Sequence, residues 1–134
     1  MKKIFNTVLL LGTMLCISAA DRLAIAEPIN KGGMKQQDIE AVWSMLEASV
    51  DGGFDLISRS ALKAMMTEIG LTTSSDLMDL NSAQKARLGE IKTVKYLLVP
   101  TVSKFGSRIN LSLIMVVSST GSIDPDKKAS ETFN

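Results

Sequence analysis

The spacing of apolar residues changes between Phe54 and Leu71, near the centre of the 134-residue chain. An apolar run of strand length comes first, and apolar residues at helical spacing follow it, namely Leu62, Met65, Met66 and Ile69. Either Ser58 or Ser60 can cap this helix, because a serine hydroxyl accepts a hydrogen bond from a free N–H of the first turn. Gly70 can end it in the left-handed conformation. The segment therefore predicts a buried strand that turns directly into an amphipathic helix.

A similar strand and helix precede this segment. Residues 22–27 form a short apolar run that ends at Pro28, and proline is a common strand exit because it has no N–H to donate. Between Lys35 and Val50 the apolar residues fall on one helical face, which carries Ile39, Val42, Trp43 and Leu46. The first half of the chain therefore predicts two successive βα units.

The segment after the second unit predicts two further helical pieces. Residues 76–80 can form a short helical turn. The spacing Asn-x-x-Gln of a capping box then predicts a helix from Ser82 to about Lys92. Gly89 lies inside this helix, where glycine is unfavourable, so we expect it to mark close contact with a neighbouring element. The predicted buried side of the helix consists of Ala83, Ala86, Leu88 and Ile91.

The last third of the chain predicts a hairpin. Residues 94–102 are apolar on both faces, as expected of a central strand. Pro100 complicates this prediction, because proline favours an edge strand or a bulge. A turn over 103–107 leads to an alternating strand, and a second turn follows at 118–121. The polar residues 124–134 can then form only a weak edge strand or a frayed tail.

The order strand, helix, strand, helix, helix, strand, strand predicts the α/β class. We expect a single-domain mixed β-sheet, made of two βα units followed by an antiparallel hairpin, with helices packed on it in at most three layers. The domain is expected to span residues 21–123, with residues 124–134 as its polar C-terminal tail or weak edge strand.

The amino end has the three zones of a secretory signal peptide. Two lysines are followed by an uncharged apolar stretch and then by Ser-Ala-Ala, so residues 1–20 are expected to be removed on export. Cleavage after Ala26 is the alternative, but it would remove the first predicted strand. The apolar stretch is too short to span a bilayer as a helix. We therefore expect an exported protein.

An outer-membrane-anchored lipoprotein is the alternative localisation. Cys16 is the only cysteine, and it lies within the apolar zone of the leader. Small residues should precede a lipidated cysteine, whereas Met14 and Leu15 are bulky. We therefore favour a leader that is cut off over a lipid anchor.

Charge and residue types exclude several functions. The chain has a net charge of +1, and the loss of Lys2 and Lys3 with the leader would bring it just below zero. This near neutrality gives no overall electrostatic case for binding nucleic acid or an anionic membrane, and no stable membrane insertion is expected after cleavage. The chain has no histidine, and its cysteine is in the leader, so the commonest general base, zinc ligands and thiol nucleophile are missing. We expect no enzyme activity, metal or cofactor.

Five polar residues near the carboxyl ends of the first two predicted strands are the candidates for contact with a partner or ligand. Asn30 and Lys31 lie in a glycine-containing loop, and Ser58, Arg59 and Ser60 lie at a strand-to-helix corner. Ligands of α/β proteins often bind at this edge of the sheet. Arg59 can either contact a partner or pack its stem on the sheet.

Several segments together resemble the CsgG family. They are Arg22-Leu-Ala-Ile-Ala, the helix with Trp43, Phe54-Asp-Leu-Ile-Ser-Arg59-Ser-Ala-Leu62 continuing to Glu68-Ile-Gly-Leu71, Leu88-Gly-Glu-Ile-Lys-Thr-Val-Lys-Tyr96-Leu-Leu-Val, and Ser119-Thr-Gly121. This family includes the periplasmic domain of the curli-secretion channel, and it is similar in fold to the LpoB-like outer-membrane activators of penicillin-binding proteins. The resemblance covers residues 21 to about 123. It implies a periplasmic, non-enzymatic α/β domain of a Gram-negative envelope that works by contact with other proteins.

The sequence leads to one main hypothesis and two alternatives. The main hypothesis is a CsgG-like interaction module in cell-envelope assembly or curli-type secretion. Its partner would be an envelope or secretion protein, with self-association through an exposed sheet edge as a further option. The alternatives are a periplasmic small-ligand sensor and an LpoB-like activator of a cell-wall synthase.

Overall fold

One mixed sheet with helices on both faces makes up the part of the chain that the computed structural model describes, which is residues 22–50, 54–91 and 93–133. The strands are β1 (Arg22–Ile25), β2 (Ile29–Asn30), β3 (Asp55–Leu56), β4 (Tyr96–Phe105), β5 (Arg108–Val117) and β6 (Ser122–Phe133). The helices are α1 (Gln36–Val50), α2 (Arg59–Glu68) and α3 (Ser82–Glu90), and a 3₁₀ helix spans Ser74–Met78. The predicted leader with Cys16 lies outside the described residues.

The strand order across the sheet is β3, β1, β4, β5, β6, and β2 pairs with β4 beyond the end of β1. β1 runs parallel to both of its neighbours, with Leu23 opposite Leu56 on one side and Tyr96 on the other. β4, β5 and β6 are successively antiparallel. This arrangement confirms the predicted α/β class, with two βα units followed by an antiparallel hairpin.

The two faces of the sheet carry separate cores, because side chains alternate along each strand. Leu23 and Ile25 of β1 belong to the core beneath α1. Ala24 and Ala26 belong to the core beneath α2, the 3₁₀ helix and α3. The sheet is therefore the middle of three layers. The helix residues buried in the first core are Ile39, Val42, Leu46 and Val50, and those buried in the second include Leu62, Met65, Met66 and Leu88.

The ends of α2 are those that the sequence predicts. The hydroxyl of Ser58 accepts a hydrogen bond from Ala61 N at 3.2 Å and caps the helix. Gly70 has a φ of 83°, and Leu71 N donates to Met66 O at 2.8 Å. Leu71 is buried, so the chain folds back onto the last turn of the helix.

Pro100 lies in the central strand β4 without interrupting the sheet. The backbone groups of even-numbered β4 residues face β1 and β2, since Leu98 O accepts from Ala26 N and Val102 O accepts from Lys31 N. By this alternation the nitrogen of Pro100 faces the point where β1 has ended and β2 has not begun. The N–H that proline lacks is therefore missing at a gap in the ladder, which is why proline is tolerated in this central position.

The β4–β5 hairpin is longer than the sequence predicts. The expected turn over 103–107 is confined to Gly106 and Ser107, with Phe105 paired to Arg108. Gly106 has a φ of 60°, which permits a two-residue hairpin turn. β4 consequently continues to Phe105, three residues beyond its predicted end at residue 102. It begins at Tyr96, two residues later than predicted.

The polar carboxy-terminal segment forms β6, a strand of 12 residues, where only a weak strand or a tail was expected. It pairs antiparallel with β5 along most of its length. The register shifts once, between Ile114 and Val116 of β5, where residues 124–127 of β6 form a bulge. Backbone hydrogen bonds to β5 stabilise this strand without a continuous apolar face, which explains why its sequence pattern is weak.

Helix α3 buries less than its sequence suggests. It ends at Glu90, and Leu88 is its one buried residue among those described, whereas Ala83 and Ala86 are exposed. The expectation of a wide apolar face is wrong, because alanine is tolerated on either face of a helix. Gly89 does mark a close approach, since a Cβ at that position would lie 3.0 Å from Ser119 O.

The helical turn expected at 76–80 is the 3₁₀ helix, which begins two residues earlier.

Candidate functional site

A cleft of about 680 Å³ opens beyond the carboxyl end of β1, at the edge where α1 and α2 meet. Leu62, Met66 and Leu71 contribute its apolar lining. Trp43 of α1 and Arg59 of α2 also line it. The cleft thus lies at the edge of the parallel strands that the sequence singles out.

Trp43 and Arg59 join the helical layers that lie on opposite faces of the sheet. The indole Nε1–H of Trp43 donates to Ile25 O at 2.9 Å, which fixes the ring over the last residue of β1. The guanidinium carbon of Arg59 lies 3.8 Å from the centroid of that ring, close enough for a cation–π interaction. Arg59 therefore packs on Trp43 of α1, whereas the sequence left it either on the sheet or in contact with a partner.

Two carboxylates of α1 hold the guanidinium of Arg59. Glu47 accepts from Nε at 3.0 Å and from Nη2 at 2.6 Å, and Glu40 accepts from Nη1 at 2.8 Å. Ser44 Oγ lies 3.1 Å from Nη2. The hydrogen bond and charge of Glu47, followed by those of Glu40, raise the pKa of Arg59 above its ordinary value despite partial burial. Arg59 is thus a permanently charged residue, and each of its three guanidinium nitrogens donates to a residue of α1.

The five predicted contact residues do not line one common cleft. Arg59 and Ser60 line the cleft, and Ser58 is the α2 cap. Asn30 lines a smaller neighbouring depression and bridges its own loop, donating to Met34 O and accepting from Gly32 N. Lys31 is exposed and lines neither hollow.

Most polar groups around the cleft already have partners. The carboxylate of Glu27 accepts from Gln36 Nε2 at 3.1 Å, and the hydroxyl of Thr67 donates to Lys63 O at 2.9 Å. Lys63 is exposed and forms no ion pair with the residues that the structure describes. The cleft therefore offers an apolar lining and a cationic side chain at its margin.

Asp76 organises the loop that closes one side of the cleft. Its Oδ2 accepts from Thr72 N at 3.0 Å, from Thr73 N at 3.1 Å and from the Thr72 hydroxyl at 3.2 Å. The backbone hydrogen bonds from Thr72 and Thr73 hold the pKa of Asp76 below its ordinary value. The ionised carboxylate is the form that the loop stabilises.

We expect Asp76 to make stability depend on pH. A carboxylate with a lowered folded-state pKa contributes stability that is present above its unfolded-state pKa of about 4 and is lost as pH falls through the lower folded-state value. Asp76→Ala should therefore lower the free energy of unfolding at neutral pH and flatten its decline in acid. Urea denaturation across the acidic range measures both effects. The control is Asp79→Ala, an exposed carboxylate nearby, and an equal effect of the two variants would contradict the prediction.

Sequence reasoning missed the residues that surround Arg59. The sequence pattern places Trp43 on the apolar face of α1 and gives no role to Glu40 or Glu47. The available signal was their spacing, since residues 40, 43, 44 and 47 lie on one side of α1. That side carries two acids around an aromatic ring, which is a suitable receptor for a cation from another element.

The described residues hold no group of three or more histidine, cysteine, aspartate or glutamate side chains that could bind a metal ion. Within the same residues, no helix combines the length and the apolar character needed to cross a membrane.

No protein-family model and no curated protein matches this chain. Solved structures do match it. The LpoB C-terminal domain from Salmonella enterica has a TM-score of 0.70 and 16% identity, over 99% of this chain and 96% of its own. The LpoB C-terminal domain from Escherichia coli has a TM-score of 0.66 and 17% identity, over 96% and 97%.

A third similar structure is the lipoprotein GNA1162 from Neisseria meningitidis, with a TM-score of 0.59 and 16% identity, over 84% of this chain and 79% of its own. These comparisons do not support the expected assignment to the CsgG family or the link to curli. At such low identity they establish the fold alone. The chain has an LpoB-like fold, which it shares over nearly its whole length with the LpoB C-terminal domains.

Proposed function

We propose that this chain is an LpoB-like, non-enzymatic activator of a cell-wall synthase in the periplasm. The observation that carries the proposal is the backbone similarity to two LpoB C-terminal domains, which covers 96% or more of each chain. The similarity to a Neisseria lipoprotein agrees with a place in the cell envelope. The predicted leader in residues 1–20 would supply the export. The curli-secretion hypothesis is not carried further, because no comparison favours it.

We place the contact with the synthase at the cleft beside α2. Its lining includes Leu62, Met66 and Leu71, which give an apolar surface for a side chain of the partner. Lys63 stands at the margin and can pair with an acidic group there. In this proposal Arg59 acts as a positioning residue, because its donors already bind Glu47 and Glu40. The contact between Trp43 and Arg59 fixes the positions of α1 and α2 on this side of the cleft.

The direct test combines binding with stimulation of synthesis. The processed chain would be incubated with the purified penicillin-binding proteins of its source organism, and binding would be measured by surface plasmon resonance. Glycan polymerisation and cross-linking would be assayed with and without the chain. We expect one of these enzymes to bind the chain and to polymerise or cross-link glycan faster in its presence. Failure of every one of them to bind, or binding without a change in rate, overturns it.

A pair of variants tests the position of the contact. Thr67→Arg places a bulky cation in the cleft lining at an exposed position, and we expect it to weaken synthase binding at least about tenfold, the loss typical of a blocked interface residue. Ala86→Arg makes the same change at an exposed position of α3, outside the cleft. Circular dichroism verifies that both fold. If Ala86→Arg weakens binding equally, the contact is not at the cleft.

The sheet edges do not favour self-association, which the sequence left as an option. β3 has only two residues, and Arg22 pairs with Asp55 beside it at 2.9 Å. β6 contains Pro125 and is bulged over residues 124–127. Short strands, prolines and bulges are the features by which natural sheets avoid edge-to-edge pairing. We therefore propose a different protein, not a second copy, as the partner.

The volume of the cleft favours one further candidate, a small-ligand sensor. About 680 Å³ lies within the range of pockets that hold small molecules. A thermal-shift screen with nucleotides and cell-wall fragments separates the candidates, because a ligand that binds the folded state raises the melting temperature. A shift that Thr67→Arg abolishes would favour the sensor.

A further inference from the structure

A cationic patch surrounds an exposed phenylalanine at the tip of the β4–β5 hairpin. Phe105 ends β4 and is 67% exposed. Lys104 and Arg108 flank it on the hairpin, and Lys31 and Lys35 lie in the adjoining loop between β2 and α1. We call these five residues the tip patch. All four of its basic residues are exposed.

Hydrogen bonds fix the loop against the hairpin, so the cations are held at one end of the sheet. Lys31 N donates to Val102 O at 2.7 Å, and Lys104 N donates to Gly32 O at 2.9 Å. Gly33 has a φ of 80° and approaches so closely that a Cβ there would lie 2.6 Å from Lys104 O. The loop therefore runs along β4 as far as Lys104, which places Lys31 and Lys35 at the same end of the sheet as the hairpin tip.

The cations of the tip patch have no ionic partners among the described residues. The ion pairs of Arg22 and Arg59 lie at other places in the fold. The chain is thus nearly neutral overall, although its charged residues are unevenly distributed over the fold. A concentrated positive potential of this kind attracts an anionic surface even when the overall charge does not.

We propose that the tip patch binds the surface of an anionic phospholipid bilayer. Phe105 and Arg108 are directly opposite each other in the ladder and share one face of the hairpin, whereas Lys104 lies on the other. A flat protein surface would contact only one of these faces. A hairpin tip that enters the headgroup layer of a bilayer is surrounded by lipid. The cations on both faces of the hairpin then contact lipid phosphates, and the ring of Phe105 reaches the boundary of the acyl chains. This inference does not depend on the proposed function.

The test measures binding of the processed chain to vesicles. Mass spectrometry first verifies that the leader is absent. We expect the chain to sediment with phosphatidylglycerol–phosphatidylethanolamine vesicles at low salt but not with phosphatidylcholine vesicles, and added salt should weaken the binding by screening. Lys104→Gln combined with Arg108→Gln should lower the affinity about 30-fold, because each cation near an anionic surface contributes about fivefold. Phe105→Ser should lower it about tenfold.

The matched control is Lys85→Gln combined with Arg87→Gln, which removes two exposed cations from α3 and changes the net charge equally. We expect it to bind vesicles like the unchanged chain. Absence of binding to anionic vesicles at low salt, or equal loss in the control, overturns the proposal. If the tip variants bind vesicles like the unchanged chain, the lipid proposal is wrong. Loss of synthase binding in the same variants would then make the patch a protein-binding surface.

Discussion

Leu97→Ala is expected to lower the free energy of unfolding by about 3 to 4 kcal/mol, because it removes a fully buried side chain from the middle of the sheet. Leu97 is 0% exposed and lies in β4 between Ala24 of β1 and Val116 of β5. The helices α2 and α3 cover it from one side. A cavity there is enclosed by three strands and two helices, so the surroundings have little freedom to collapse into it.

Urea denaturation followed by circular dichroism measures this loss. Ile114→Ala is the matched control, because Ile114 lies on the same face of the neighbouring strand but is only half-buried. It should cost about 1 kcal/mol, in proportion to the smaller apolar area that is lost. Equal losses in the two variants would show that the helices do not seal the second core over Leu97.

The second large effect is expected for Trp43→Ala, which should lower the free energy of unfolding by about 3 kcal/mol. The substitution removes the ring that packs in the α1 core, the hydrogen bond to Ile25 O and the platform beneath Arg59. Trp43→Phe keeps a ring but loses the N–H donor. It should therefore cost about 1 kcal/mol, the usual contribution of one hydrogen bond.

A double-mutant cycle isolates the contact between Trp43 and Arg59. Their coupling free energy, obtained from Trp43→Ala, Arg59→Ala and the double variant, should be about 1 kcal/mol. Arg22→Ala serves as the control for loss of an arginine. Arg22 and Asp55 form an ion pair in which each side chain is 51% exposed, and such pairs contribute at most about 1 kcal/mol. A coupling energy near zero would mean that the stack is incidental.

Local patterns in the sequence are sufficient to predict much of this fold. The helix α1 follows from its apolar stripe, and α2 follows from its stripe together with the cap at Ser58 and the glycine at 70. Each of these signals is contained within about one helix length, where periodicity and capping are decided by neighbouring residues. The parallel pairing of β1 with β3 follows from the βα order, because such crossovers bring successive strands together.

The features that the sequence left open or did not predict depend on residues far apart in the chain. β6 is a strand because β5 offers it a long edge, and its own composition gives little sign of this. Pro100 is tolerated because β1 and β2 leave a gap beside it. The cluster around Arg59 requires that α1 and α2, on opposite faces of the sheet, meet beyond the end of β1. No local period carries that information.

The position of β1 has a consequence for the order of folding. This strand lies at the start of the described chain and yet occupies the interior of the sheet. It cannot pair with β4 until β4 is available, and β4 comes after α1, α2 and α3 in the sequence. Contacts of such long sequence separation slow folding. A chain that threads through a translocation channel from its amino end would therefore emerge unfolded and acquire its native structure only after most of it has crossed.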